Sequence, residues 1–139
     1  LVDIALQIAA EAHAGQTDKA GAPYILHPLR LMLAVEGEME RVAALLHDVV
    51  EDGGYTLEQL GRMGIPQRVL QAVDALTRRA GESYEAFVER AAADPIARTV
   101  KIADLQDNMD IRRLPTLGVE EVERLQRYRR AWEALTHGR

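Results

Sequence analysis

Apolar residues recur at three-to-four spacing along almost the whole chain. Leu1, Ile4, Ala5, Ile8, Ala9 and Ala12 form one stripe, which predicts an opening helix. Gly15 and the segment Thr17–Pro23, which holds Gly21, interrupt the pattern and predict a loop. The spacing returns from Pro28 to Glu36, with Gly37 as a helix stop. A third helix is predicted from about Met39 to Val50, ahead of the Gly53-Gly54 pair. Thr56 and Gln59 make a capping-box pattern that opens a short helix running to Met63 and closed by Gly64. Pro66 fits the first turn of the next helix, which carries Val69, Leu70, Val73 and Leu76. Ser83 and Asp94-Pro95 are N-cap signals for helices over Tyr84–Ala92 and Pro95–Met109. The last helix, Val119 to Leu135, carries Val122, Leu125, Tyr128, Trp132 and Leu135 as a stripe predicted to dock on the core. No segment alternates with a period of two between hairpin turns, so no strand is predicted. The expectation is all-α: about seven or eight helices in one domain over residues 1–139.

Composition narrows what such a bundle can do. The chain has 139 residues, no cysteine and a net charge of −5. At that length one domain buries roughly two-thirds of the surface of its unfolded chain. Without cysteine, a disulfide framework and thiolate chemistry are excluded, and any metal must be held by His and carboxylate groups. The acidic balance speaks against a nucleic-acid partner. No apolar run approaches the ~18 residues of a membrane span, and no basic-then-apolar leader is visible. The expectation is therefore a soluble, cytoplasmic protein, with further residues before Leu1 in the natural chain. An amphipathic last helix serves a core and a homo-oligomer interface equally well, so oligomeric state is left open.

The candidate chemistry lies around two of the four histidines. His47 is followed at once by Asp48, at the end of the apolar run Val42-Ala43-Ala44-Leu45-Leu46. Imidazolium and carboxylate groups are costly to bury unless paired or bound to a metal. Glu51 and Asp52 follow His47 and Asp48 by four residues each, so four ionisable groups gather at one helix end. A second polar group stands far along the chain. Asp104 and Asn108 share a face among Val100, Ile102, Ala103 and Leu105. His27, His47, Asp48 and Asp104 could together ligate one divalent metal. Two imidazoles and two carboxylates suit Mn²⁺, Fe²⁺, Co²⁺ or Zn²⁺. Glu51 and Asp52 would then orient or deprotonate a water at the ion.

The order His27 … His47-Asp48 … Asp104 resembles the HD superfamily of metal-dependent phosphohydrolases. More of the chain takes part in the resemblance. Ala12-His13-Ala14-Gly15-Gln16, Gly21-Ala22-Pro23-Tyr24-Ile25-Leu26-His27-Pro28-Leu29 and Ala43-Ala44-Leu45-Leu46-His47-Asp48-Val49-Val50-Glu51-Asp52 are similar to the hydrolase domain of the RelA/SpoT alarmone enzymes, in a small stand-alone form. Val73-Asp74-Ala75-Leu76-Thr77-Arg78, Val100-Lys101-Ile102-Ala103-Asp104 and Asn108-Met109 continue it, so the resemblance spans residues 9 to about 113. It implies a compact HD-type helical bundle. It also implies Mn²⁺-dependent removal of the 3′-pyrophosphate from guanosine 3′,5′-bis(diphosphate), by attack of metal-bound water. In that scheme His27, His47, Asp48 and Asp104 hold the metal, Glu51 and Asp52 activate the nucleophile, and Lys19 and Asn108 contact the substrate. The chain departs from the family at Asp18-Lys19-Ala20, where an Arg-Lys-Ser run helps hold guanine. It departs again at Leu105-Gln106-Asp107 and Asp110-Ile111.

Each of these residues also has a plainer structural reading. His47-Asp48 could be a helix-end ion pair, and His27 a core imidazole bonded to a carbonyl. Glu51 and Asp52 could be solvated acids before a turn, and Asp104 with Asn108 a polar helix face. His13 is expected to pack beneath the loop, and His137 to lie in a frayed tail. Lys101, Arg112 and Arg113 are expected to be solvated surface charges. Alternatives to the alarmone activity are a phosphohydrolase for another nucleotide or small phosphate or pyrophosphate ester, and a catalytically silent nucleotide- or metal-sensing module. A third is a structural partner docking through the Val122–Leu135 face.

Overall fold

The computed structural model describes residues 1–137. The described residues form eight α-helices: α1 (Val2–Ala12), α2 (Leu26–Ala34), α3 (Glu38–Leu46), α4 (Leu57–Arg62), α5 (Gln67–Ala75), α6 (Tyr84–Ala92), α7 (Pro95–Asn108) and α8 (Val119–Thr136). A 3-10 turn, Ile111–Arg113, follows α7. There is no strand among the described residues; a single antiparallel bridge between Thr17 and Pro23 pins the ends of the first loop.

The second half of α3 is the centre of the fold. Val42, Ala43, Ala44, Leu45 and Leu46 are all at 0% exposure, so this segment is apolar on every side and must be enclosed. Helices α1, α2, α5 and α7 pack around it. A smaller apolar cluster of Val88, Leu105, Ala131 and Leu135 joins α6, α7 and α8. Helix α7 therefore faces both clusters, with Ile96, Ala97, Val100 and Ala103 in the first and Leu105 in the second.

Most helix ends follow the local signals, with a few shifts. Thr56 Oγ1 accepts the Gln59 N–H at 3.1 Å, and Gln59 Oε1 accepts the Thr56 N–H at 2.9 Å, completing the capping box of α4. Ser83 caps α6 and Asp94 caps α7 as the sequence predicts. Helix α2 begins two residues earlier than expected and stops at Ala34, and Pro66 is the extended N-cap of α5 rather than its first helical residue. Helix α3 stops at Leu46, short of the expected Val50. The Val49 N–H reaches back only three residues, to Leu46, and the Val49 carbonyl accepts both the Gly53 and Tyr55 N–H groups. The backbone there tightens into turns over residues 47–52. Gly53 lets those turns press on α1, since a Cβ would lie 2.7 Å from the Val49 carbonyl oxygen and 2.8 Å from the Ala12 side chain. The α8 stripe docks through its second half only: Ala131 and Leu135 are buried, whereas Val122 is 42% exposed. His137 is the C-cap of α8 rather than a frayed residue; its N–H bonds to the Glu133 carbonyl at 2.8 Å, and its ring meets that of Trp132. No helix among the described residues is long and apolar enough to cross a membrane.

Asp94 ties two functions to one side chain. Its Oδ1 accepts the Ile96 and Ala97 N–H groups at 2.9 and 3.0 Å, and both its oxygens take the Arg68 guanidinium. Burial pushes this carboxyl up, but Arg68 and the two N–H donors outweigh that and hold it below the ordinary carboxylate range. A depressed folded-state pKa contributes stability above the unfolded value, near 4, that is lost as pH falls through the folded value. We expect Asp94→Ala to cost about 1–2 kcal/mol in urea unfolding at pH 7. The difference from wild type should shrink when the titration is repeated below pH 4.

Candidate active site

Three helices bring distant side chains to one point. His27 lies in the first turn of α2, His47 caps the end of α3, and Asp104 lies late in α7. All three are buried, and their ligating atoms lie within 4.8 Å of one another. His27 Nε2 is 2.9 Å from Asp104 Oδ1, and His47 Nε2 is 3.7 Å from the same oxygen. The His47 Nδ1–H donates to the Ala44 carbonyl at 2.8 Å. That bond fixes the ring and leaves Nε2 as the nitrogen facing the cluster. Asp48 Oδ2 is 3.4 Å from His47 Nε2, and its side chain is more exposed than those of His27, His47 and Asp104.

Asp104 is the electrostatic centre. Lys101 Nζ donates to its Oδ2 at 2.9 Å, and Asn108 Nδ2 donates to Oδ1 at 3.1 Å. Burial pushes the Asp104 carboxyl up, yet Lys101, His27 and His47 outweigh this and hold it well below the usual carboxylate range. Burial alone would pull the His27 imidazole down; its bonds with Asp104 and Asp107 lift it to about 9. Lys101 behaves likewise, since burial lowers it but Asp104 and Tyr84 raise it past its usual value. Its ammonium also sits 4.8 Å from the Phe87 ring centroid and 5.8 Å from that of Tyr84, which favours a desolvated cation.

The acidic residues after His47 form the exposed lip of this cluster. Asp48, Glu51 and Asp52 have ligating atoms within 4.8 Å of one another. The Tyr24 hydroxyl donates to Asp48 Oδ2, and burial together with Asp48 pushes that phenol far up, so it stays a donor. Glu51 Oε1 accepts the backbone N–H of Arg78 at 3.0 Å, which ties it to the segment after α5. Burial and the Asp48 charge raise the Asp52 carboxyl. Asp48, Glu51 and the buried cluster line a cleft of about 260 Å³, to which Tyr84, Arg78, Lys101 and Arg127 also contribute. Among the described residues neither Arg78 nor Arg127 has a carboxylate within ion-pair distance. Their guanidinium carbons lie 5.9 and 5.0 Å from the Tyr84 ring centroid.

A second cleft adjoins the first through Tyr24, Asn108 and Tyr128, and holds Lys19, Arg113 and Arg124. Lys19 is exposed there, its ammonium lowered first by burial and then by Arg124. Of the expected site residues, then, His27, His47 and Asp104 meet in one group, Asp48 falls with Glu51 and Asp52 in the acidic group beside it and touches the first through His47, and Asn108 stands between the two clefts. Lys19 lies apart from the cluster, in the second cleft. His13 packs beneath the loop as expected: Nδ1 bonds to Gln16 Oε1 at 2.9 Å, the ring meets Tyr24 edge-on, and Nε2 is buried without a hydrogen-bond partner.

Two expectations need correcting. Lys101 is no solvated charge but a buried cation, because it lies three residues before Asp104 on the same helix face and between two aromatic rings. Arg113 is likewise committed, facing Asp107 at 3.2 Å and Asp18 at 3.7 Å. Arg112 is exposed, as expected, and pairs with Asp110. Sequence reasoning missed Tyr84, Arg127 and Asp107; only the i, i+3 spacing of Asp104 and Asp107, opposite that of His27 and Arg30, hinted at the last.

The donor set fits a divalent metal. Three buried N and O donors converge, and each imidazole has its Nδ1 occupied by another group, which leaves both Nε2 atoms directed at Asp104. The His/Asp group could therefore bind such an ion. Fold and site together define an all-helical, HD-type domain.

No family model matches the chain. It is 37% identical over 122 residues to a probable GTP pyrophosphokinase of Mycobacterium leprae, covering 78% of this chain and 15% of that protein. It is 35% identical over 118 residues to the guanosine-3′,5′-bis(diphosphate) 3′-pyrophosphohydrolase of Aquifex aeolicus, covering 76% of this chain and 17% of that protein. Its fold matches a solved metazoan ortholog of SpoT, described as hydrolysing ppGpp with a role in starvation responses. That match has a TM-score of 0.80 at 25% identity and covers 99% of this chain and 85% of the other. The chain belongs to the RelA/SpoT family of HD-type hydrolase domains. It spans only 15–17% of the length of the curated relatives just named.

If this cluster holds a metal, the ion should stabilise the fold by mass action. We expect Mn²⁺ to raise the thermal midpoint and a chelator to reverse the rise. His47→Ala should abolish the Mn²⁺ response in the same thermal-shift assay.

Proposed function

We propose that this chain is a metal-dependent phosphohydrolase that removes the 3′-pyrophosphate of guanosine 3′,5′-bis(diphosphate)-type nucleotides. The observation that carries the reading is one cleft of mixed charge: a buried His/Asp group with acidic residues beside it, lined also by the guanidinium groups of Arg78 and Arg127, which have no carboxylate within ion-pair distance among the described residues. His27, His47, Asp48 and Asp104 would hold one divalent ion, Mn²⁺ being the ion implied by the family. When bound, such an ion offsets charge developing on phosphoryl oxygens and makes a nucleophile available near neutral pH.

The chain's own residues do the rest. Glu51, held by the Arg78 N–H, and Asp52 beside it would take a proton from the attacking water. Arg78, Lys101 and Arg127 receive phosphoryl oxygens and draw a polyanion into a chain of net charge −5. Water adds to the phosphorus next to the ribose, the bond to the 3′ oxygen breaks, that oxygen takes up the proton lost by the water to become the 3′-hydroxyl, and pyrophosphate leaves. Asn108 stands at the junction with the second cleft, where Lys19 would meet the far end of the nucleotide.

One observation favours a second reading, hydrolysis of another nucleotide or phosphate ester. Asp18, at the position of the guanine-holding arginine, spends Oδ1 on the Ala20 and Ala22 N–H groups at 2.9 Å each, so it is fixed as a turn residue and not offered to a base. A panel of guanosine 3′,5′-bis(diphosphate), its adenosine analogue, simple nucleotides and inorganic pyrophosphate, assayed with and without Mn²⁺, separates the two. Pyrophosphate release from the guanosine compound alone is the expected result. Equal turnover of the adenosine analogue would move the assignment to the second reading, and silence with metal bound would sink both. Glu51→Gln should lower kcat by about 10²–10⁴-fold while leaving Mn²⁺ affinity within twofold of wild type. Arg127→Ala should act mainly on KM.

A further inference from the structure

Asp107 has no part in the cleft, yet it is among the most heavily bonded carboxylates in the protein. Its Oδ2 is 2.6 Å from His27 Nδ1, and its Oδ1 accepts from Arg30 Nε at 2.7 Å. Arg30 Nη2 and Arg113 Nη2 donate to Oδ2 at 3.0 and 3.2 Å. Burial raises this carboxyl, but His27 and Arg30 outweigh burial and bring it to about 2. Two i, i+3 pairs thus face each other, His27 and Arg30 on α2 against Asp104 and Asp107 on α7.

The geometry divides the labour between the two aspartates. Asp104 meets His27 at Nε2, the nitrogen turned toward His47, whereas Asp107 meets it at Nδ1, on the opposite side of the ring. A carboxylate gripped by two guanidinium groups has little freedom to rotate, so it dictates the plane of the imidazole bonded to it. It also fixes the proton on Nδ1 and leaves Nε2 as the donor atom for an ion.

We propose that Asp107, clamped by Arg30 and Arg113, is a positioning residue that sets the tautomer and orientation of His27 for metal binding. This rests on the metal-centre reading above but not on the identity of the substrate. A simple α2–α7 staple would make Asp107 matter for stability alone; a positioning residue changes the metal itself.

The test is Mn²⁺ affinity by calorimetry and the visible absorption spectrum of the Co²⁺ form, for wild type, Asp107→Ala and Asp107→Asn. Asp107→Ala is expected to weaken Mn²⁺ binding by about 10–100-fold and to alter the Co²⁺ bands. Asp107→Asn, which keeps an oxygen for the Nδ1–H, should recover part of the affinity. Binding of Mn²⁺ to Asp107→Ala within twofold of wild type, with an unchanged Co²⁺ spectrum, would overturn the proposal. Should that variant fail to fold, ¹⁵N imidazole shifts of the wild-type Zn²⁺ form decide: a protonated Nδ1 on His27 supports it, and a metal-bearing Nδ1 overturns it. A wild type that binds no metal overturns this proposal together with the metal centre. A wild type that binds metal yet hydrolyses nothing on the panel removes the proposed activity and leaves the role of Asp107 standing.

Discussion

An ionised carboxylate in the interior of a helical bundle must be surrounded by donors and cations, or it forces itself neutral. Asp104 is that group here, at 7% exposure, and much of the fold can be understood as the set of elements that surround it. Helix α2 supplies His27, the end of α3 supplies His47, and α7 itself supplies Lys101 three residues before and Asn108 four residues after. Remove any one of these and the remaining charge is worse compensated. Helix–helix packing and site electrostatics are therefore one constraint seen at two scales.

The same constraint explains the division of the cleft. Acidic groups concentrate where α3 breaks into turns, because that break leaves backbone and side chains open to solvent just beside the buried imidazoles. Cations line the same cleft, Lys101 bonded to Asp104 on α7 and Arg78 and Arg127 set against the ring of Tyr84. The Arg78 N–H on Glu51 ties the acidic turn after α3 to the segment after α5. Arg90 stiffens that segment by donating to the Asp74 and Thr77 carbonyls and to Glu82.

Much of this was legible in the sequence, and unevenly so. The helices came through because apolar periodicity and caps are local signals, as at Thr56, Ser83 and Asp94. His27, His47 and Asp104 were legible because ionisable groups stood among apolar neighbours at family spacing. The end of α3 was not, because the apolar pattern continues through Val49 and Val50 while the backbone hydrogen bonds no longer do. Lys101 was misjudged for a related reason. Periodicity ranks a lysine as exposed, and only the tertiary arrangement of Phe87 and Tyr84 makes room for it inside. Asp107, Tyr84 and Arg127 owe their places entirely to which helix lies opposite, and a single sequence carries no such pairing.

The cluster draws on residues 27, 47 and 104, so no contiguous stretch of chain contains it. During synthesis the first imidazole emerges long before its carboxylate partner, which is 77 positions away. Until α7 is made and docks on α2 and α3, there is nothing to recognise a cation, and early segments offer only scattered imidazoles. Ligation and chain closure are therefore thermodynamically linked: whatever binds the finished cluster is reporting that a loop of 77 residues has been shut.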